Sequence, residues 1–143
     1  MATYVVIGGG LGGARTAEEL RDLDGDARIV LIAGEPRLPY ERPPLSKGYL
    51  ARESDIGDFT PLPGSWFADH QVDARLGVFA INLDADDRVV HTSDGRCVRY
   101  DGLVLATGSR PRTIDVPGVS RPGVQTLRTL EGRRPAEGLP RHR

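Results

Sequence analysis

Apolar positions along this chain fall into distinct periods, and the periods mark its elements. Residues 3–8, TYVVIG, form a short, continuous, largely β-branched run, which predicts a strand buried on both faces. A glycine-rich string, GGGLGGA, occupies residues 8–14. In ARTAEELRDL, residues 14–23, Ala14, Ala17 and Leu20 recur at helical spacing with charges between them, so the segment predicts an amphipathic helix. DGD then breaks the pattern, and RIVLIA, residues 28–33, predicts a second buried strand. Strand, turn, helix and strand together have the length of a βαβ unit with parallel strands.

Residues 34–66 lose this periodicity and become rich in Pro, Gly and charge. The spacing predicts a long ordered loop with a short helix near 45–51, and SWFADH, residues 65–70, predicts another short helix. Loops of this length inside a domain are commonly functional. From about residue 74, ARLGVFAINLD, RVVHT and CVRYDGLVLATG are extended runs separated by DADD and SDGR, both with turn chemistry. They predict an antiparallel hairpin or meander that feeds a last apolar strand, LVLAT, at 103–107. The pattern as a whole predicts an α/β, Rossmann-like three-layer fold: a parallel sheet plus an antiparallel β-meander.

Composition narrows the classes. A chain of 143 residues suits one domain with a real core. A net charge of −1 leaves no electrostatic footprint for nucleic acid or an anionic membrane. The single cysteine, Cys97, excludes a disulfide framework, a Cys-rich metal site and a CxxC pair within the chain; its place in an extended run beside Val98 and Tyr100 predicts a structural role. The start of the chain lacks a charged region followed by a long apolar run, and no window approaches the ~18 apolar residues of a membrane span. A cytoplasmic protein is the expectation.

Four motifs are candidates for chemistry. Gly8, Gly10 and Gly13 form G-x-G-x-x-G between a predicted strand and a predicted helix. Gly8 permits a tight turn, Gly10 lets backbone approach a pyrophosphate, and Gly13 lets helix and strand pack closely. The helix N-terminus, with Leu11 and Gly12, offers N–H groups and partial positive charge to phosphates. Glu35 follows the second strand, 22 residues after Gly13, near the spacing of about 20 at which a carboxylate meets a ribose diol. A carboxylate there repels a 2′-phosphate, which points to FAD or NAD and away from NADP. In LVLATG, Ala106, Thr107 and Gly108 end a strand in small residues that admit a close neighbour. Each has a plainer alternative: a flexible loop, a solvated glutamate, an ordinary strand end.

The fourth candidate is RPPLSK. Pro43 and Pro44 can start a helix but not continue one. Arg42 and Lys47, the only lysine in the chain, flank that start and could hold an anion. The alternative is a surface turn with solvated charges.

These strings have a joint resemblance. GGGLGGA, GEPRLPYERPPLSKGYL, YDGLVLATGSRPR and TLRTLE resemble, in order and spacing over about residues 3–131, the FAD-dependent ferredoxin reductases of the pyridine nucleotide-disulphide oxidoreductase superfamily, the putidaredoxin and rubredoxin reductases among them. The string Y-x-R-P-P-L-S-K is specific to that group. The resemblance implies that the glycine turn binds the FAD pyrophosphate and Glu35 the adenosine ribose. It implies that Arg42, Lys47 and Arg128 contact FAD, with Lys47 near flavin N5, and that Val78 meets the adenine through its backbone. It implies electron flow from NADH through FAD to a ferredoxin or rubredoxin-type iron–sulfur protein. Related disulfide reductases carry a CxxxxC pair in this segment; this chain has none, which disfavours a dithiol route.

The resemblance also implies parts that this sequence lacks: a second glycine-motif domain for NADH, a later G-D motif and a carboxy-terminal domain. Residues 1–131 therefore predict the first segment of an incomplete FAD-binding domain. Residues 132–143, GRRPAEGLPRHR, hold four Arg, two Pro and two Gly without apolar periodicity, and predict a disordered basic tail. A shifted reading frame or a premature end would explain that break; a genuine basic tail is the alternative. The expected function is the FAD-holding segment of an NADH-dependent ferredoxin reductase, inactive by itself. The alternatives are a non-catalytic FAD- or ADP-binding half-domain and a gene remnant.

Overall fold

A computed structural model describes residues 1–112 and 114–130. The chain divides into two units, one of Met1–Glu41 with Gly57–Gly108, the other of Arg42–Ile56 with Ser109–Arg143. Expectations for the tail at 132–143 lie outside the described residues.

The first unit is built on a four-stranded sheet. Strand β1 (Thr3–Ile7) leads to helix α1 (Leu11–Leu23) and strand β2 (Arg28–Ala33). The strands β3 (Val72–Leu76) and β7 (Gly102–Leu105) complete it in the order β3-β2-β1-β7, with every neighbouring pair parallel. Alternation along β1 and β2 sends side chains to opposite faces. Val6, Ile29 and Leu31 pack with Ala14 and Ala17 of α1 and with Phe67 of α3 (Gly64–Asp69). Val5, Val30 and Ile32 pack the other way, against Val90 and Val98. Those two residues belong to a three-stranded antiparallel meander of β4 (Ala80–Asp84), β5 (Val89–Thr92) and β6 (Cys97–Arg99). The three expected layers are present: helices, parallel sheet, meander.

Three expectations need correction. Helix α1 begins at Leu11, three residues before Ala14, so Gly12 and the motif's Gly13 lie inside its first turn. ARLGVFAINLD is not one extended run of the meander. Its first part belongs to β3, which pairs in parallel with β2, and Gly77 at φ +71° turns the chain before β4. β3 is an edge strand whose side chains are apolar at Val72, Ala74 and Leu76 and charged at Asp73 and Arg75, so it lacks the continuous apolar signature of β1 and β2. Cys97 is exposed, with its Sγ 3.1 Å from His91 Nδ1.

In the second unit, a 3-10 turn at Pro43–Ser46 runs into the single-turn helix α2 (Gly48–Ala51), joined at Lys47. The two prolines occupy the first helical positions, where their missing N–H groups cost nothing.

Candidate functional site

The glycine string forms the turn between β1 and α1, and contacts explain three of its glycines. Gly8 sits at φ +137°, and a Cβ there would come within 2.0 Å of the Ala106 carbonyl oxygen. The Gly8 N–H donates to the Ile32 carbonyl at 2.9 Å and the Ala106 N–H to the Ile7 carbonyl at 2.8 Å, so the turn is wedged between β2 and the end of β7. A Cβ on Gly13 would fall 1.9 Å from the Gly8 carbonyl oxygen, and one on Gly9 would fall 2.6 Å from Ala33 Cβ. Gly10 differs, for a Cβ there would meet nothing within 4 Å. Its backbone conformation is ordinary, so space and not strain distinguishes it.

Gly10 is also the N-cap of α1. No side chain caps this helix end, and its first turn holds no acidic residue. The first intrahelical bond runs from the Ala14 N–H to the Gly10 carbonyl at 3.1 Å. The N–H groups of Leu11, Gly12 and Gly13 thus lack intrahelical acceptors, and the helix dipole is not offset by a carboxylate in the first turn. Such an end suits an anion bound through backbone N–H groups.

Glu35 lies two residues beyond β2, half-buried. The Tyr40 hydroxyl donates to its Oε2 at 2.5 Å, and its backbone carbonyl accepts the Gly77 N–H at 3.0 Å. The Phe79 ring covers the preceding residue so closely that a Cβ on Gly34 would lie 2.4 Å from Phe79 Cε1. Val78 donates its N–H to the Ala33 carbonyl at 3.0 Å. The first unit therefore holds the glycine turn, Glu35 and Val78 at the carboxyl ends of β1 and β2, with Ala106, Thr107 and Gly108 following β7.

Arg42, Lys47 and Arg128 belong to the second unit. The Arg42 guanidinium donates through Nη1 to the Arg128 carbonyl. Lys47 is exposed, and its backbone N–H donates to the Pro44 carbonyl at 3.0 Å. The two segments that carry these residues are thus joined by a hydrogen bond that their spacing did not foretell.

Sequence reasoning missed Tyr40 as a partner of Glu35. The signal available was a tyrosine directly after a proline in a loop otherwise full of charge. Among the described residues no cluster of His, Cys, Asp and Glu could hold a metal ion, and no helix is long and apolar enough to cross a membrane.

The open space at Gly10, the bare helix end and the anchored carboxylate fit the diphosphate and ribose of a dinucleotide such as FAD. Known proteins share this arrangement of sequence. The chain is 40% identical over 127 residues to rhodocoxin reductase of Rhodococcus erythropolis, an alignment that covers 89% of this chain and 30% of that protein. It is 41% identical over 136 residues to the ferredoxin reductase component of a chlorobenzene dioxygenase from Cupriavidus sp. (strain PS12), covering 94% and 33%. The crystal structure of the covalent putidaredoxin reductase–putidaredoxin complex superposes with a TM-score of 0.82 at 33% identity, over 92% of this chain and 32% of that one. A ferredoxin reductase from Rhodopseudomonas palustris gives a TM-score of 0.84 at 37% identity, over 93% and 33%. The chain spans about a third of the length of these relatives. The family profile described as pyridine nucleotide-disulphide oxidoreductase matches residues 2–138, and to that family this chain belongs.

Proposed function

We propose that this chain is the FAD-holding segment of an NADH-dependent ferredoxin reductase. The observation that carries the reading is the contrast within the glycine turn: Gly8 and Gly13 are closed in by backbone while Gly10 opens to space beside an uncapped helix end. Residues 8–13 would hold the FAD pyrophosphate through the N–H groups of Leu11, Gly12 and Gly13. Glu35 would accept hydrogen bonds from the adenosine ribose, and the Val78 carbonyl would meet the adenine edge. Ala106, Thr107 and Gly108 would let the second backbone pass close to the dinucleotide.

Arg42, Lys47 and Arg128 are proposed as FAD contacts, with Lys47 near flavin N5. Bound FAD supplies a centre that takes electrons in pairs from a nicotinamide and gives them up singly. The Lys47 ammonium, a compact point donor, would balance negative charge gathered on the reduced ring. NADH as donor and a ferredoxin or rubredoxin-type iron–sulfur protein as acceptor are proposed for the complete reductase; relatives named as ferredoxin reductase components of dioxygenase systems support that reading. Residues 1–131 are proposed as the FAD-domain segment, and the cytoplasm as its compartment.

The second reading is nucleotide binding without turnover, favoured by the uncapped end of α1, which offers backbone N–H groups to an anion and no reacting group. Titration of the purified chain with FAD, followed by quenching of flavin fluorescence, tests the binding on which both rest. Saturable quenching that ADP displaces is expected. No binding of either nucleotide overturns both readings. Bleaching of bound flavin by NADH would overturn the second.

A further inference from the structure

The sequence motifs account for Glu35 as a ribose acceptor but leave the tyrosine that holds it without a role. We infer that Tyr40 is a positioning residue: its hydroxyl fixes the Glu35 carboxylate and thereby sets the choice of an unphosphorylated ribose. The inference rests on the dinucleotide-binding reading of this site and names the residue that would tune its specificity.

Tyr40 is suited to the task by burial. Its side chain is 1% exposed, in a position where most of a tyrosine's rotamers are closed off. The ring meets Phe59 edge-on, with centroids 6.3 Å apart and planes at 74°. Pro39, directly before it, is also fully buried and restricts the backbone from which the ring projects. The Glu41 N–H next along the chain donates to the Phe59 carbonyl at 2.9 Å, so the backbone on both sides of the tyrosine is held. From this base the phenol donates to Glu35 Oε2 at 2.5 Å.

Glutamate is a poor specificity element when left to move. It loses rotamer entropy when ordered. A carboxylate already held in place spares the ligand that cost. A carboxylate has about four lone-pair sites, so a phenol bond at one of them is compatible with accepting from a vicinal diol. The same fixity acts against the wrong ligand. A 2′-phosphate brought to an immobile carboxylate meets an anion that cannot swing aside, and the like-charge contact rejects it. Tyr40→Phe takes away one of the bonds that hold Glu35.

The test is a double-mutant cycle on the whole chain with two probes, ADP and its 2′-phosphorylated analogue, 2′-phosphoadenosine 5′-diphosphate. Tyr40→Phe keeps the ring in its packing and deletes the hydroxyl. It is expected to weaken ADP binding by about five- to tenfold, the scale of one ordinary hydrogen bond, and to narrow the preference for ADP over the analogue. In a Glu35→Ala background the same substitution is expected to change neither affinity nor preference, since Tyr40 acts through the carboxylate. An unchanged preference in Tyr40→Phe overturns the inference. So does an equal loss in both backgrounds, which would mark the hydroxyl as a packing element. Failure of the unaltered chain to bind either probe overturns the binding reading itself, and this inference with it.

Discussion

The Arg42 guanidinium donates through Nη1 to the main-chain carbonyl of Arg128, 86 residues further along the chain, at 2.5 Å. Both residues are half-buried. A guanidinium has five N–H donors in a rigid fork, and one of them makes this bond. Arg42→Ala deletes the clip and is expected to cost about 1–3 kcal/mol, as for a hydrogen bond made by a charged group. Chymotrypsin should then cut faster beside Tyr49 or Leu127. Cleavage rates equal to those of the unaltered chain would show that the clip contributes nothing.

The glycine turn predicts three substitutions with different signatures. Gly8→Ala combines a positive φ with a 2.0 Å approach to the Ala106 carbonyl oxygen, and Gly13→Ala a 1.9 Å approach to the Gly8 carbonyl oxygen. Each should cost about 2 kcal/mol or more, seen as a lowered Tm. Gly10→Ala puts a methyl group into open space at an N-cap, for a loss of about 1 kcal/mol or less. Its FAD affinity should nevertheless fall at least as far as that of the other two. Equal Tm losses across all three would refute the division of labour.

Lys47 gives a prediction on the potential of bound flavin. Lys47→Arg retains the charge but replaces a compact donor with a planar one. FAD binding is expected to survive, with the two-electron potential lowered by about 20–30 mV, which corresponds to about 1–1.4 kcal/mol. Spectroelectrochemistry of the FAD-loaded chain reads this directly. An unchanged potential would remove Lys47 from the flavin.

The turn between β5 and β6 carries the pH prediction. Thr92, 1% exposed, donates from its hydroxyl to Asp94 Oδ1, and that bond, followed by the Arg96 N–H and charge, holds the Asp94 carboxyl below its ordinary 3.8. A carboxyl depressed in the folded state contributes stability that is present above its unfolded value and lost as pH falls through its folded value. Asp94→Asn should thus lower Tm near neutrality, and the gap to the unaltered chain should close as pH drops below about 4. A gap that stays constant from pH 6 to pH 3 would refute the assignment.

Much of the fold was legible because its central signals are local. TYVVIG and RIVLIA are buried on both faces, which removes alternation, and the glycine string between them joins a strand to a helix. Val72–Leu76 was misread because edge strands alternate, and alternation does not tell a parallel edge from a hairpin. The Arg42–Arg128 bond and the Tyr40–Glu35 bond were invisible for another reason. Neither follows from a period: the first joins segments far apart in the chain, and the second depends on how a proline-rich loop folds back toward the end of β2.

The pairing of β1 with β7 also bears on the order of assembly. Thr3 donates its N–H to Asp101 Oδ2 at 2.7 Å across 98 residues of chain, and Tyr4 stands opposite Gly102 in the ladder. β1, α1 and β2 are neighbours in sequence and can meet early, while contacts of such separation form late. The wall that closes over Gly8 comes from Ala106, at the far end of that late pairing. On a ribosome, the glycine turn would be begun early and finished later, its shape complete only once β7 has left the exit tunnel.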